Sequence, residues 1–356
     1  MIKSGGIERQ EAIVTVRSAL GVNLVRAASA LMVIALANAP AIWAQAQSSG
    51  RSGSAVPIDP IEAILNAFKS HRIVALGEGD HNNIQGHIFR LTLIRDPRFA
   101  ATVNDIVVEA GNSRYQHVMD RFVRGEDVPY EVLRQVWQNA GAGHWDVPIY
   151  EEFYRAVRSL NAALPRKRQL RILLGDPGID WNSIKSREDW GKQVQQLPLR
   201  DAYAAALVRR EVLARGRRAL IVYGDNHYLR NPAPNWPPQT IVAILEKETR
   251  SPIFTIWTNT HLDLEAAQAD ISSWPMPSLT ILRGTDLATK LQLQGQFDAL
   301  IYLGPPSSIT FSQLTPALCQ DRAYMQMRSA RIALMGLSED WRKKRCAEIA
   351  SHRAKR

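Results

Sequence analysis

The fold turns on the stretch Ile73-Val-Ala-Leu-Gly-Glu78-Gly-Asp-His81, in which an apolar run ends abruptly in Glu, Asp and His. A short run rich in Val, Ile and Leu marks a strand buried on both faces. Open α/β sheets carry their reactive side chains in the crevice beyond the carboxyl ends of such strands. The pattern recurs. Ile106-Val-Val-Glu109 ends a second run in a carboxylate, and Ala219-Leu-Ile-Val-Tyr-Gly-Asp225-Asn-His227 ends a later one in Asp and His. Three strand ends thus deliver Glu78, His81, Glu109 and His227, the side chains of an acid–base centre.

Outward from these runs the chain alternates helical and strand patterns. Helices are predicted over Ile61 to Ser70, Asn82 to Ile94 (capped by Asp80 or His81) and Asp201 to Arg215. Further strands are predicted at Asp105 to Glu109, Leu170 to Leu174, Ala219 to Tyr223, Ile253 to Trp257 and Phe297 to Leu303. A long helical region between Ser113 and Leu164 breaks at Gly125, Pro129, Gly141-Ala-Gly143 and Pro148. The alternation predicts an α/β fold, a mainly parallel sheet with helices on both faces. No internal repeat is present. The Pro-rich segment from Asn231 to Thr240 is expected to form a rigid loop near His227.

The ends of the chain read differently from its body. In residues 1–46, Arg26 precedes the apolar run Ala27 to Ala37, and Ala44-Gln-Ala46 supplies small residues for a cleavage site. Asn38 and Pro40 interrupt the run short of the roughly 20 apolar residues of a membrane span. Residues 1–46 are therefore expected to be a signal peptide or N-terminal anchor, and the protein periplasmic or secreted. Residues 47–57 read as a flexible Ser/Gly linker, 58–312 as the α/β catalytic-type domain, and 313–356 as C-terminal helices with a basic tail. Cys319 and Cys346, the chain's two cysteines, are expected to form a disulfide that staples a helical hairpin broken at Gly336.

The net charge of +10 is a property of the ends. Residues 1–46 hold four Lys/Arg against two Glu, and Arg342 to Arg356 seven against one Glu, which leaves only +2 for the body. This disfavours nucleic acid as a partner. Weak attraction of the tail to an anionic membrane surface is compatible with it.

Two carboxylates and two imidazoles can activate water on an ester carbonyl, bind a divalent metal, or only hold a ligand. Other routes lack their motifs: there is no G-x-S-x-G elbow and no H-E-x-x-H, and Gly77-Glu-Gly79 lacks the third glycine of a dinucleotide loop. No cofactor is assigned; a divalent metal on His81, Glu109 and His227, or haem with Tyr228 beside His227, stays open.

Taken in order, Gly77-Glu78-x-x-His81, the strand ending in Glu109, and Gly224-Asp-Asn-His227 resemble the erythromycin esterase superfamily, with its ChaN-like haem-binding and Tiki-type metalloprotease branches. Arg158-x-x-Asn161, Gly175-x-Pro177 and Phe297-Asp-Ala-Leu-Ile-Tyr-Leu303 fit the same resemblance, which covers roughly residues 60–310. It implies an exported hydrolase acting on an ester or amide of a small molecule. His81 would be the general base, Glu109 would orient His81 or the water, and Glu78 would support the site. His227 would be a second acid/base or polarise the carbonyl. Gly224 stands where the esterases carry a His, a form closer to the other two branches, whereas the first motif keeps the esterase spacing. A ChaN-like binder and a Tiki-type metal-dependent peptidase are the alternatives. Asp80, Asp225, Arg158, Asn161 and Asp176 are candidates for substrate binding. Gly143-His144-Trp145-Asp146 is a candidate substrate wall, and His87 reads as structural.

Overall fold

The computed structural model describes residues 53–141, 145–196, 200–232, 239–262, 264–337 and 343–347. The expected leader, His144, the core of the Pro-rich loop and most of the basic tail lie outside the described residues. Among the described residues seven strands form one sheet: β1 (Ile73–Gly77), β2 (Asp105–Asn112), β3 (Arg171–Asp176), β4 (Ala219–Tyr223), β5 (Phe254–Thr258), β6 (Ser278–Ile281) and β7 (Ala299–Tyr302). Their order is β3-β2-β4-β1-β5-β7-β6. All neighbouring pairs are parallel except β6 with β7.

The strands alternate sides. Val74, Leu76, Ile106, Val108, Leu220 and Val222 pack on one face, against α1 (Pro60–Ser70), α2 (Ile84–Arg95), α3 (Gln116–Val123) and α4 (Pro148–Ala162). Ile73, Ala75, Val107, Ile221 and Tyr223 pack on the other, against α5 (Arg200–Glu211) and α6 (Ile241–Thr249). Both faces are thus covered, as a parallel sheet requires. The helix after β1 lies on one face and the helix after β4 on the other, although the two strands are neighbours. Such a divergence opens the crevice in which α/β proteins hold their ligands.

Several expectations shift. Asn83, rather than Asp80 or His81, caps α2, accepting from Gly86 N at 2.7 Å while its Nδ2 donates to Glu78 O at 2.7 Å. Positive φ at Gly79 (65°) and Asn82 (72°) lengthens the turn, so the helix starts later than the pattern implies. The strand expected to stop at Glu109 runs on to Asn112, with its register against β3 shifting between Val108 and Asn112. Strand β6 was not expected; it is four residues of mixed polarity. The linker expected to be flexible throughout 47–57 is held from Gly53 onward. Gly53 N donates to Gly284 O at 2.8 Å, and Ile58 and Leu279 exchange backbone bonds of 2.8 and 3.0 Å. Strand β6 is a sheet edge, and an unpaired edge captures extended chain.

The C-terminal helices form as expected, Pro316–Gln320 followed by α7 (Arg322–Leu334), and Cys319 is bonded to Cys346 with Cα atoms 5.5 Å apart. Asp146 fixes α7 to the body. Buried Arg328 and the Tyr324 hydroxyl both donate to its carboxylate.

Gly77 shows how tightly the strand ends are joined. A Cβ there would lie 1.8 Å from Asp225 Oδ1 and 3.0 Å from Ile256 O. Gly77→Ala is expected to destabilise the protein by about 1–3 kcal/mol, measured by urea unfolding. An unchanged midpoint would show that Asp225 is not fixed against β1.

Candidate active site

The loop after β1, the end of β2, the turn after β4 and the first turn of α5 meet above the carboxyl edge of the sheet. His81 Nδ1 is 2.8 Å from Glu78 Oε2, and Glu78 Oε1 is 3.1 Å from the buried Arg90 guanidinium. His227 is built in the same way, its Nδ1 lying 2.6 Å from buried Asp201 Oδ1. Each imidazole thus has a carboxylate behind it and its Nε2 facing forward. Both Nε2 atoms approach one oxygen, Glu109 Oε1, at 4.0 Å for His81 and 3.7 Å for His227. Those separations are too long for hydrogen bonds. Arg200 Nη2 lies 2.5 Å from the same oxygen, and Gly224 N donates to Glu109 Oε2 at 2.9 Å.

Burial and charge set the protonation. Burial opposes charging of His81, but the Glu78 hydrogen bond and the Glu109 charge outweigh it and lift its pKa to about 9. Burial would raise Glu109, yet His81, Arg200 and His227 hold it down at about 2. Burial likewise opposes charge on His227, and Asp201 and Glu109 reverse the effect, raising it. Burial lifts Asp176 to about 6 against the attraction of Arg200. At neutral pH the centre therefore holds a protonated His81 facing an ionised Glu109, with His227 shifted toward its charged form.

The site residues expected from the sequence separate into two groups. Glu78, His81, Glu109 and His227 come together, with Asp176 beside them through three contacts to Arg200 of 2.9–3.1 Å. Asp80 lies in the same loop, its backbone N donating to Thr260 Oγ1 at 2.6 Å. Asp225 is buried beneath the site, where its carboxylate accepts from Gly79 N and Thr258 N, both at 2.7 Å, and joins two strand ends. Burial pushes it up to about 7. Arg158 and Asn161 stand elsewhere. Arg158 donates to the carbonyls of Phe122, Gly125 and Glu126 at the end of α3. Asn161 bonds Val123 O and both backbone groups of Leu170, at the edge where β3 begins. These are ties between the end of α3 and the start of β3, at the amino edge of the sheet and not at the carboxyl ends of the strands.

Trp145, from the expected wall segment, packs its ring edge-on to His81, with centroids 4.7 Å apart. His87 is buried and pairs with Glu152 at 3.1 Å. Tyr228 cannot face a haem iron, because its buried hydroxyl donates to Ile221 O at 3.0 Å. Arg90, Arg200 and Asp201 were missed. In a parallel sheet a helix that follows a strand begins at the reactive edge, so the opening Arg200-Asp201 of α5 was the available signal.

Among the described residues Glu78, His81 and Glu109 offer ligand atoms within 4.8 Å of one another, a different set from the expected His81, Glu109 and His227. The fit to a dication is poor. Arg90 already sits on Glu78 and Arg200 on Glu109, so a metal would have to displace guanidinium groups from its own ligands.

No protein-family profile matches the chain, and no curated protein matches it in sequence. Solved structures do. A succinoglycan biosynthesis protein superposes with a TM-score of 0.57 at 11% identity, over 74% of this chain and 96% of that one. An erythromycin esterase mutant in its open conformation gives 0.51 at 14%, over 71% and 94%. ChaN of Campylobacter jejuni, in a structure with cofacial haem, gives 0.40 at 13%, over 70% and 93%. The chain has the α/β fold of the erythromycin esterase group; at these identities the likeness is one of fold.

Proposed function

We propose that this protein is an exported hydrolase that cleaves an ester or amide of a small molecule without a bound metal. The observation that carries this reading is the pair of carboxylate-backed imidazoles whose Nε2 atoms converge on Glu109 Oε1. In the reaction a water held between them attacks the carbonyl carbon. His81 Nε2 takes the water's proton, and His227 Nε2 gives one to the leaving oxygen or nitrogen, so an acid and an alcohol or amine depart. Glu109 orients the attacking water and compensates the imidazolium charge. The leader-like 1–46 segment supports export, as does the Cys319–Cys346 disulfide, a bond that persists in oxidising compartments.

The pH–rate profile tests this assignment. Because His81 holds its proton up to about 9, its base form is scarce at neutral pH. The rate constant kcat/KM is expected to climb by about tenfold per pH unit from 7 and level off above 9. A rate that instead falls across this range would make His81 the acid and not the base.

A further inference from the structure

Arg200 is held in a way that leaves one of its nitrogens unused. Its Nε and Nη2 are engaged by Asp176 and its Nη2 also by Glu109. Nη1 makes no hydrogen bond within the described residues. The side chain is 45% exposed, whereas the Glu109 and Asp176 side chains beneath it are 3% and 10% exposed, so the guanidinium covers the carboxylates and itself reaches solvent. It shares Glu109 Oε1 with both imidazoles, which places it at the point where a reacting carbonyl must sit.

Resting on the hydrolytic reading above, we propose that Arg200 is the oxyanion donor of this site, presenting Nη1 to the oxygen that becomes negative when water adds to the carbonyl. Two carboxylates fix the guanidinium plane in advance, so the donor needs no reorganisation as charge develops. A tetrahedral anion is then the ligand class the site recognises best. A mere counter-ion to Glu109 would require only positive charge. A donor requires the fork, because lysine presents a compact ammonium that cannot hold Asp176 and Glu109 and still reach outward.

Arg200→Lys separates these roles. Turnover of a p-nitrophenyl ester across pH and calorimetric binding of phenylphosphonate are measured for wild type and variant. The expected result is a kcat lower by about 10²-fold with KM near the wild-type value and the pH limb unmoved. Phenylphosphonate should bind roughly tenfold or more weakly. In Arg200→Ala, added guanidinium should restore part of the rate. Unchanged kcat and phosphonate binding in Arg200→Lys would overturn the proposal, as would a shifted pH limb with an unchanged plateau. If the wild type binds phosphonate through Arg200 yet turns over no ester, the hydrolytic reading falls and the anion site stands. If it does neither, both fall.

Discussion

His81→Ala is expected to lower kcat on the order of 10²–10⁴-fold while the protein stays folded. The imidazole is partly exposed, at 32%, and it is the group whose Nε2 faces both the cleft and Glu109. Its removal takes away the proton acceptor and leaves Glu78 still paired with Arg90. The same variant should alter how stability depends on pH. His81 titrates near 6.5 when unfolded and near 9 in the fold. A raised folded pKa stabilises fully below 6.5, and that contribution is lost as pH rises through 9. It amounts to about 3 kcal/mol. The wild type should therefore lose stability between pH 6.5 and 9, and the variant should show a flatter curve in urea unfolding. Full turnover in the variant would remove His81 from the chemistry.

Asp146→Ala is expected to be the most damaging substitution for the fold. Arg328 is 2% exposed and Asp146 fully buried, and the Tyr324 hydroxyl donates to the same carboxylate. Removing one member of a buried ion pair strands the other charge and costs about 3–5 kcal/mol. The loss falls next to Trp145, the residue before Asp146, whose ring packs on His81. A Tm close to wild type in Asp146→Ala would show that α7 is not fastened through this carboxylate. Replacing both Asp146 and Arg328 by apolar residues of similar volume should recover much of the stability.

The strands and four of the candidate site residues were legible because side-chain chemistry changes sharply after Gly77, Val108 and Tyr223. In β1 and β4 the apolar run stops where the strand ends, whereas β2 continues past Glu109 to Asn112. Arg90 was hidden because it sits among Phe89, Leu93 and Ile94 on a buried helix face, and its partner Glu78 is remote from any helical spacing rule. Arg200 and Asp201 look like an ordinary polar helix start; only the topology brings them to His227 and Glu109. Arg158 and Asn161 illustrate the opposite failure. Their spacing fits a motif, but the backbone carbonyls at the end of α3 and the start of β3 need donors, and these side chains supply them. Strand β6 escaped notice because Ser-Leu-Thr-Ile is too short to show a period.

The most direct test of the account is turnover of p-nitrophenyl esters by the purified protein, run with and without a strong chelator. Hydrolysis that chelator leaves intact is the predicted result, because Arg90 and Arg200 already neutralise the carboxylates a metal would need. Turnover abolished by chelator and restored by a divalent metal would contradict it, and would make Glu78, His81 and Glu109 metal ligands instead.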